Sequence, residues 1–151
     1  MVYMLKYQIL RDYDDAIIHL KDKLGIRATT NTQLDTCGRQ LFGKKYLGTF
    51  SADDYPKPDQ MSEGDMFIIN NKTHRSLGEH WIAVGKNAGH CYAFDTFHRH
   101  LGGLSHHFAH NGWIPAARFK EQSNKESDCG VLSMAWLMMF RKYGTSILHV
   151  I

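Results

Sequence analysis

One apolar segment, Val131 to Phe140, constrains the fold of this chain more than any other feature. Its apolar residues occupy nearly every side of a helix instead of a single stripe, and Gly144 follows as a stop signal. We therefore predict a helix from Cys129 to Tyr143. A helix that is apolar all round has no face to expose to water, so the rest of the chain must pack around it.

Two more helices are predicted in the first third of the chain. Apolar residues at three- and four-residue steps indicate a helix from Asp12 to Leu24, and Gly25 follows as its stop. Thr30 and Gln33 form a capping-box pattern at the start of the next helix, which Gly43 ends.

Short strands are predicted in the middle of the chain. The segment Lys44 to Gly64 holds most of the prolines and is predicted to be mostly loop. Strands are indicated at Met66 to Ile69, His80 to Val84 and Cys91 to Phe94, with a short one near Trp113. The 151 residues suit one α+β domain, because folding at that size buries roughly 70% of the surface of the unfolded chain.

The two strands around residue 87 are predicted to form a hairpin. If its loop is Lys86 to Gly89, Gly85 faces His90 and His80 falls opposite Asp95. Opposed residues place their Cβ atoms about 4.5 to 5.5 Å apart, so the carboxylate can orient the imidazole as in a catalytic triad. A cross-strand pair on the surface would have the same pattern.

Cys129 lies at the predicted start of the core helix, after Asp128, a favoured N-cap residue, and before Gly130. The partial positive charge of a helix start favours the thiolate, and its unpaired N–H groups suit an oxyanion. Gln122, seven residues earlier, offers an amide as a second donor. The alternatives are a buried structural cysteine and an exposed loop glutamine.

The other cysteines differ from Cys129 in their surroundings. Cys37 and Cys91 lie inside apolar helical or strand patterns, so we predict core residues. Three cysteines at unrelated spacings argue against a disulfide framework and for a reducing compartment.

Taken in order, these motifs resemble those of the adenovirus maturation protease (adenain) and of the ubiquitin-like-protein proteases that share its fold. The resemblance is carried by Gly78-Glu79-His80-Trp81, Tyr92-Ala93-Phe94-Asp95, Gln122 and Asp128-Cys129-Gly130. The upstream Tyr46-Leu47-Gly48-Thr49-Phe50, followed by Pro56, is also similar to a segment of the adenoviral enzymes.

That resemblance implies a fold and a set of roles. The fold would be α+β, a central mixed sheet flanked by helices, with the nucleophile at the N-terminus of a buried central helix. Cys129 would be the nucleophile, His80 the base and then the acid, and Asp95 the orienting group. Gln122 would complete the oxyanion hole. Trp81 and Gly130 would flank the substrate.

The resemblance also implies a viral cysteine endopeptidase that cuts capsid or core precursors after small residues, often after Gly-Gly. The compact chain favours a virophage or other small DNA virus as its source. We expect a monomer acting in the virion and the host cytoplasm or nucleus. The first residues lack a secretory signal, and the longest apolar run is about half a membrane span, so neither secretion nor a membrane is expected.

Two other functions fit the same residues. One is a protease that processes or removes ubiquitin-like modifiers, and the other is a catalytically silent module that binds a Gly-Gly tail. A pure binding module needs no ionisable nucleophile, so the set of Cys, His, Asp and Gln favours an enzyme.

The proposed chemistry requires no cofactor, but activators and a metal site need to be considered. The adenoviral enzyme is stimulated by DNA and by a peptide that forms a disulfide with it, so activation by either is open here, although the chemistry requires no cofactor. The scattered positive charge, +3 in total, fits only weak DNA binding. A histidine cluster invites a metal site but lacks paired cysteines nearby, so we predict a solvated loop without metal. Its members are His98, His100, His106, His107 and His110.

Overall fold

The computed structural model describes residues 2–25, 29–70, 81–95, 113–116 and 128–151. These ranges contain three α-helices and one mixed sheet of five strands, which confirms the α+β class. The helices are α1 (Val2–Leu24), α2 (Asn31–Phe42) and α3 (Cys129–Tyr143). The strands are β1 (Tyr46–Phe50), β2 (Met66–Asn70), β3 (Trp81–Asn87), β4 (His90–Phe94) and β5 (Trp113–Pro115).

The strands lie side by side in chain order. The two outer pairs, β1 with β2 and β4 with β5, are parallel, whereas β2 with β3 and β3 with β4 are antiparallel. Alternate residues of each strand face opposite sides. Met66 and Ile68 join the core that contains the helices, while Phe67 and Ile69 join a second cluster on the other face.

The apolar helix α3 lies in the main core, as its composition predicts. Eleven of its residues are buried. The ring of Trp136 stacks between Phe94 of β4, at 5.3 Å between centroids, and Phe140, at 4.8 Å. These contacts fix α3 against the middle of the sheet.

The predicted start of α2 is confirmed in detail. Thr30 Oγ1 accepts a hydrogen bond from the Gln33 N–H at 3.1 Å, and Gln33 Oε1 accepts one from the Thr30 N–H at 2.9 Å. The helix ends before Gly43, whose φ of 58° suits glycine.

The prediction for α1 is wrong at its start, because the helix begins at Val2 and not at Asp12. Its buried line is Ile9, Tyr13, Ala16 and Leu20. The first two turns expose apolar side chains such as Tyr3, at 79%, so no amphipathic pattern marks them as helical. In the described part of the chain, α1 and the other helices are all too short or too polar to cross a membrane.

The segment after Gly43 is more ordered than the loop predicted there. Tyr46 to Phe50 form β1, which pairs with β2 through a register irregularity that includes Gly48, at a φ of 145°. Tyr55 and Met61 then pack on the second face of the sheet. The prolines of this segment favoured the prediction of a loop, so its strand and its core residues were not predicted.

The hairpin between β3 and β4 has a shorter loop than predicted. Asn87 pairs with His90, so only Ala88 and Gly89 remain in the turn. Both have positive φ, 52° and 79°, as a type I′ turn requires. The Glu63 carboxylate accepts hydrogen bonds from both turn N–H groups, which holds the pKa of Glu63 below its ordinary value.

Ala88→Gly is expected to raise the free energy of unfolding by about 0.5–1 kcal/mol, because alanine is strained at positive φ and glycine is not. Gly89→Ala should lower the free energy of unfolding by about 1 kcal/mol, because alanine would be strained at the positive φ of this position. A Cβ at Gly89 would meet nothing within 4 Å, so backbone strain is the expected cause of the loss and not a steric clash. Urea unfolding of both variants provides the measurement. A lower free energy of unfolding in Ala88→Gly would contradict the hypothesis that the backbone is strained at Ala88.

Asp12 links α1 to the last turn of α3. Its carboxylate accepts hydrogen bonds from Lys142 Nζ, at 2.7 Å, and from the Tyr143 hydroxyl. Both hydrogen bonds hold the pKa of Asp12 below its ordinary value, and Lys142 has the larger effect. A carboxyl with a lowered folded pKa stabilises the fold while it is ionised, and this stabilisation is lost as the pH falls through that pKa.

Asp12→Asn is therefore expected to lower the free energy of unfolding at pH 7 by a few tenths to about 1 kcal/mol, because the pair is partly exposed. The difference from the unsubstituted chain should shrink as the pH falls below 3.8, the ordinary pKa of an aspartate. Urea unfolding at pH 7 and pH 3 measures it, with the exposed Asp14→Asn as the matched control. An equal loss at both pH values would show that the carboxylate charge is irrelevant.

Candidate active site

Cys129 lies in the first turn of α3 and is 2% exposed. Asp128 occupies the N-cap position, but its side chain makes no capping hydrogen bond, contrary to the role expected of it. Its backbone, at φ −90° and ψ −10°, is helical and not extended, and its carboxylate lies 3.5 Å from Lys21 Nζ of α1. Asp128 therefore does not cover the N–H groups of the first turn.

The start of β3 packs directly on this turn. A Cβ at Gly130 would lie 3.3 Å from Trp81 Cδ1, so the two residues predicted to flank the substrate are in contact. One turn further along α3, Ser133 Oγ donates a hydrogen bond to the Trp81 carbonyl oxygen at 3.2 Å. The residue that precedes Trp81 in the chain is His80.

Asp95 directly follows β4 and is 5% exposed. The predicted register, which set it opposite His80, is wrong by two residues. Phe94 pairs with Ala83, so Asp95 comes level with Ile82. The reason is the two-residue turn, which extends both strands. A shift of two residues changes the partner of Asp95 and preserves the alternation of side chains along the strands.

Several strand ends meet at the edge of the sheet where α3 begins. β3 starts there at Trp81, and β4, which runs antiparallel to it, ends there before Asp95. β2 ends at the same edge with Asn70, a buried polar residue paired with Trp81. The structure thus brings Asp95, Trp81 and the turn that holds Cys129 to one edge.

Two predicted catalytic residues, His80 and Gln122, lie outside the described residues. Their distances from Cys129 and Asp95 therefore remain predictions from the sequence. The histidine cluster from His98 to His110 also lies outside them.

The three cysteines are all thiols and all buried. Burial raises the pKa of Cys37 and of Cys91, which keeps both thiols protonated near neutral pH. Cys37 lies among the core residues of α2, and Cys91 lies on the second face of the sheet with its Sγ 4.0 Å from Met61 Sδ. Position, and not burial, distinguishes Cys129 from the other two.

Thr29 is a site residue that the sequence did not indicate. It precedes the capping box of α2 and is 6% exposed. A Cβ at Gly130 would lie only 1.8 Å from Thr29 Oγ1, so the threonine packs against the residue that follows Cys129. A buried polar residue beside a helix cap is too common a pattern to have identified it.

Metal ligands are not clustered in the part of the chain that the structure describes. No group of three His, Cys, Asp or Glu side chains there could hold a metal ion. The chemistry of the described site is that of a thiol, a carboxylate and a helix N-terminus.

No protein-family model and no curated protein sequence matches this chain.

Gly130→Ala is expected to lower the free energy of unfolding by about 1–3 kcal/mol, because the new methyl group would overlap Thr29 Oγ1. Urea unfolding measures the loss. In a Thr29→Ala background the same substitution should cost less, since the Oγ1 atom is gone and the remaining contacts, with the Cβ of residue 29 at 3.0 Å and with Trp81 Cδ1 at 3.3 Å, are longer. Equal losses in both backgrounds would contradict the contact.

Proposed function

We propose that this chain is a viral cysteine endopeptidase of the adenain type, with Cys129 as its nucleophile. One observation carries the proposal: the first turn of the buried helix α3, which holds Cys129, packs on Trp81 at the sheet edge where Asp95 lies. This arrangement supports a specialised thiol over a structural one. The adenain-like fold, with its nucleophile at the N-terminus of the central helix, is part of the same proposal.

The proposed reaction has two steps. Cys129 Sγ, as the thiolate, attacks the carbonyl carbon of the peptide bond, and the oxyanion that forms accepts hydrogen bonds from the Cys129 N–H and the Gln122 side chain. The C–N bond then breaks, and the His80 imidazolium gives its proton to the leaving amine. Water, deprotonated by His80, hydrolyses the thioester, which releases the carboxylic acid product and regenerates the Cys129 thiolate and the His80 imidazolium.

Asp95 has the orienting role in this scheme. A carboxylate that accepts a hydrogen bond from an imidazole fixes its tautomer and stabilises it when protonated. His80 is the residue before Trp81, and β3 starts at the edge where β4 ends and Asp95 follows. These positions support the pairing.

A preference for small substrate residues is supported by the packing beside Cys129. Trp81 is 6% exposed, and Gly130 has no room for even a methyl group. Large substrate side chains next to the attacked carbonyl would clash with Trp81 and with the tightly packed turn at Gly130. Glycine or another small residue before the cleaved bond is therefore the proposed specificity.

The biological role is proposed from the motif resemblance. Capsid or core precursors of a small DNA virus are the proposed substrates, cut during maturation in the virion or the host cell. A monomer would suffice for that reaction. DNA or a peptide could act as an activator, so both belong in the test.

Cys129→Ala is expected to abolish cleavage and to leave the fold intact, because the acyl-forming atom is lost while a small residue remains. The measurement is mass spectrometry of a proteome-derived peptide library incubated with each protein, without and then with DNA. The unsubstituted chain should cut after small residues, and the variant should match the background. Circular dichroism checks that the variant is folded.

Cys91→Ala is the matched control, since Cys91 is equally buried but lies on the opposite face of the sheet. It should retain cleavage with the same specificity. Residual activity in Cys129→Ala would overturn the nucleophile assignment. Cleavage of folded ubiquitin-like precursors but not of peptides would favour the deconjugating enzyme, and binding of a Gly-Gly tail without cleavage would favour the silent module.

A further inference from the structure

We propose that the Thr29 hydroxyl hydrogen-bonds the main chain of a bound peptide at the carbonyl group that Cys129 attacks. This inference rests on the proposed peptidase function and adds a residue to its site. Thr29 lies in the connection between α1 and α2 and is 6% exposed. Its Oγ1 atom is buried and has no hydrogen-bond partner among the residues that the structure describes.

The hydroxyl is aimed at the first turn of α3. Thr29 Oγ1 lies 1.8 Å from the position that a Cβ of Gly130 would take. It therefore occupies the space where any other residue after Cys129 would place its side chain. The N–H groups of a first helical turn have no acceptor within the helix, so the hydroxyl adds a donor to a region already suited to a carbonyl oxygen.

Thr29 differs in its position from another buried group, the indole of Trp136. Trp136 Nε1 also lacks a hydrogen-bond partner among the described residues. Trp136 is enclosed by stacked rings in the core. The Thr29 hydroxyl instead packs on Gly130, the residue that follows the candidate nucleophile.

Hydrogen bonds hold the start of α2, which directly follows Thr29. The next residue, Thr30, is held in the capping box by two hydrogen bonds with Gln33. Gln33 Nε2 also donates a hydrogen bond to the Leu24 carbonyl oxygen at 3.5 Å, which ties the start of α2 to the end of α1. These hydrogen bonds support the position of Thr29 beside Gly130.

Packing alone does not account for the hydroxyl. Valine has nearly the same shape and would fill the same space without burying a polar atom that lacks a partner. A peptide carbonyl would provide the missing acceptor. The ligand class that this site recognises is therefore the main chain of an extended peptide.

The test compares Thr29→Val with Thr29→Ser on a peptide that the unsubstituted chain cleaves. Thr29→Val should lower kcat/KM at least about 10-fold, mainly through kcat, because the lost donor acts on the carbonyl that reacts. The affinity for a peptide aldehyde should fall in parallel, since its hemithioacetal oxygen takes the same place. Thr29→Ser keeps the hydroxyl and should retain most of the activity.

Two controls separate this role from a structural one. The melting temperature of Thr29→Val should stay the same or rise, because a buried polar atom without a partner has been removed. Thr36→Val, an exposed residue of α2, should leave activity unchanged. Unchanged kinetics in Thr29→Val, an equal loss in Thr29→Ser, or a fall in melting temperature that accompanies the loss of activity would each overturn the inference.

The outcomes also separate the inference from the proposed function. If the unsubstituted chain cleaves no substrate by a thiol-dependent reaction, the peptidase proposal fails and the role of Thr29 fails with it. If the unsubstituted chain and Thr29→Val cleave equally well, only the role of Thr29 is wrong.

Discussion

The packing of α3 against the middle of the sheet is the contact on which the rest of the structure depends. Trp136 fills the space between Phe94 and Phe140, and a buried aromatic ring contributes more apolar area than any other side chain. Because α3 is apolar on all sides, both the sheet and α1 must cover it. The position of its first turn, and hence of Cys129, follows from this packing.

Close approach of α3 to β3 depends on glycine at both ends of the contact. A Cβ at Gly85 would lie 2.5 Å from Phe140 Cε1, and one at Gly130 would meet Thr29 and Trp81. Small residues at these points let the helix lie close along the strand. The same closeness brings the first turn of α3 to the strand edge with Asp95, so the core contact and the candidate site have one geometric origin.

The three cysteines are similarly buried but differ in their position in the fold. Cys37 and Cys91 are enclosed by apolar neighbours, and their raised pKa values keep them protonated. Cys129 is as buried as they are, yet it lies at a helix start, and the residue after it, Gly130, packs on Trp81 and on Thr29.

The sequence by itself determined the features that depend on near neighbours in the chain. The capping box of Thr30 and Gln33, the stop at Gly43 and the apolar helix around Trp136 are local patterns, and the structure agrees with each. Only the tertiary structure decided the rest. The length of the turn between β3 and β4 sets their register, which differs by two residues from the predicted one at Asp95. Pairing with β2 makes the segment from Tyr46 a strand. Tertiary packing places Thr29 against Gly130, more than 100 residues away in the sequence. Such contacts join segments far apart in sequence, so no local pattern encodes them.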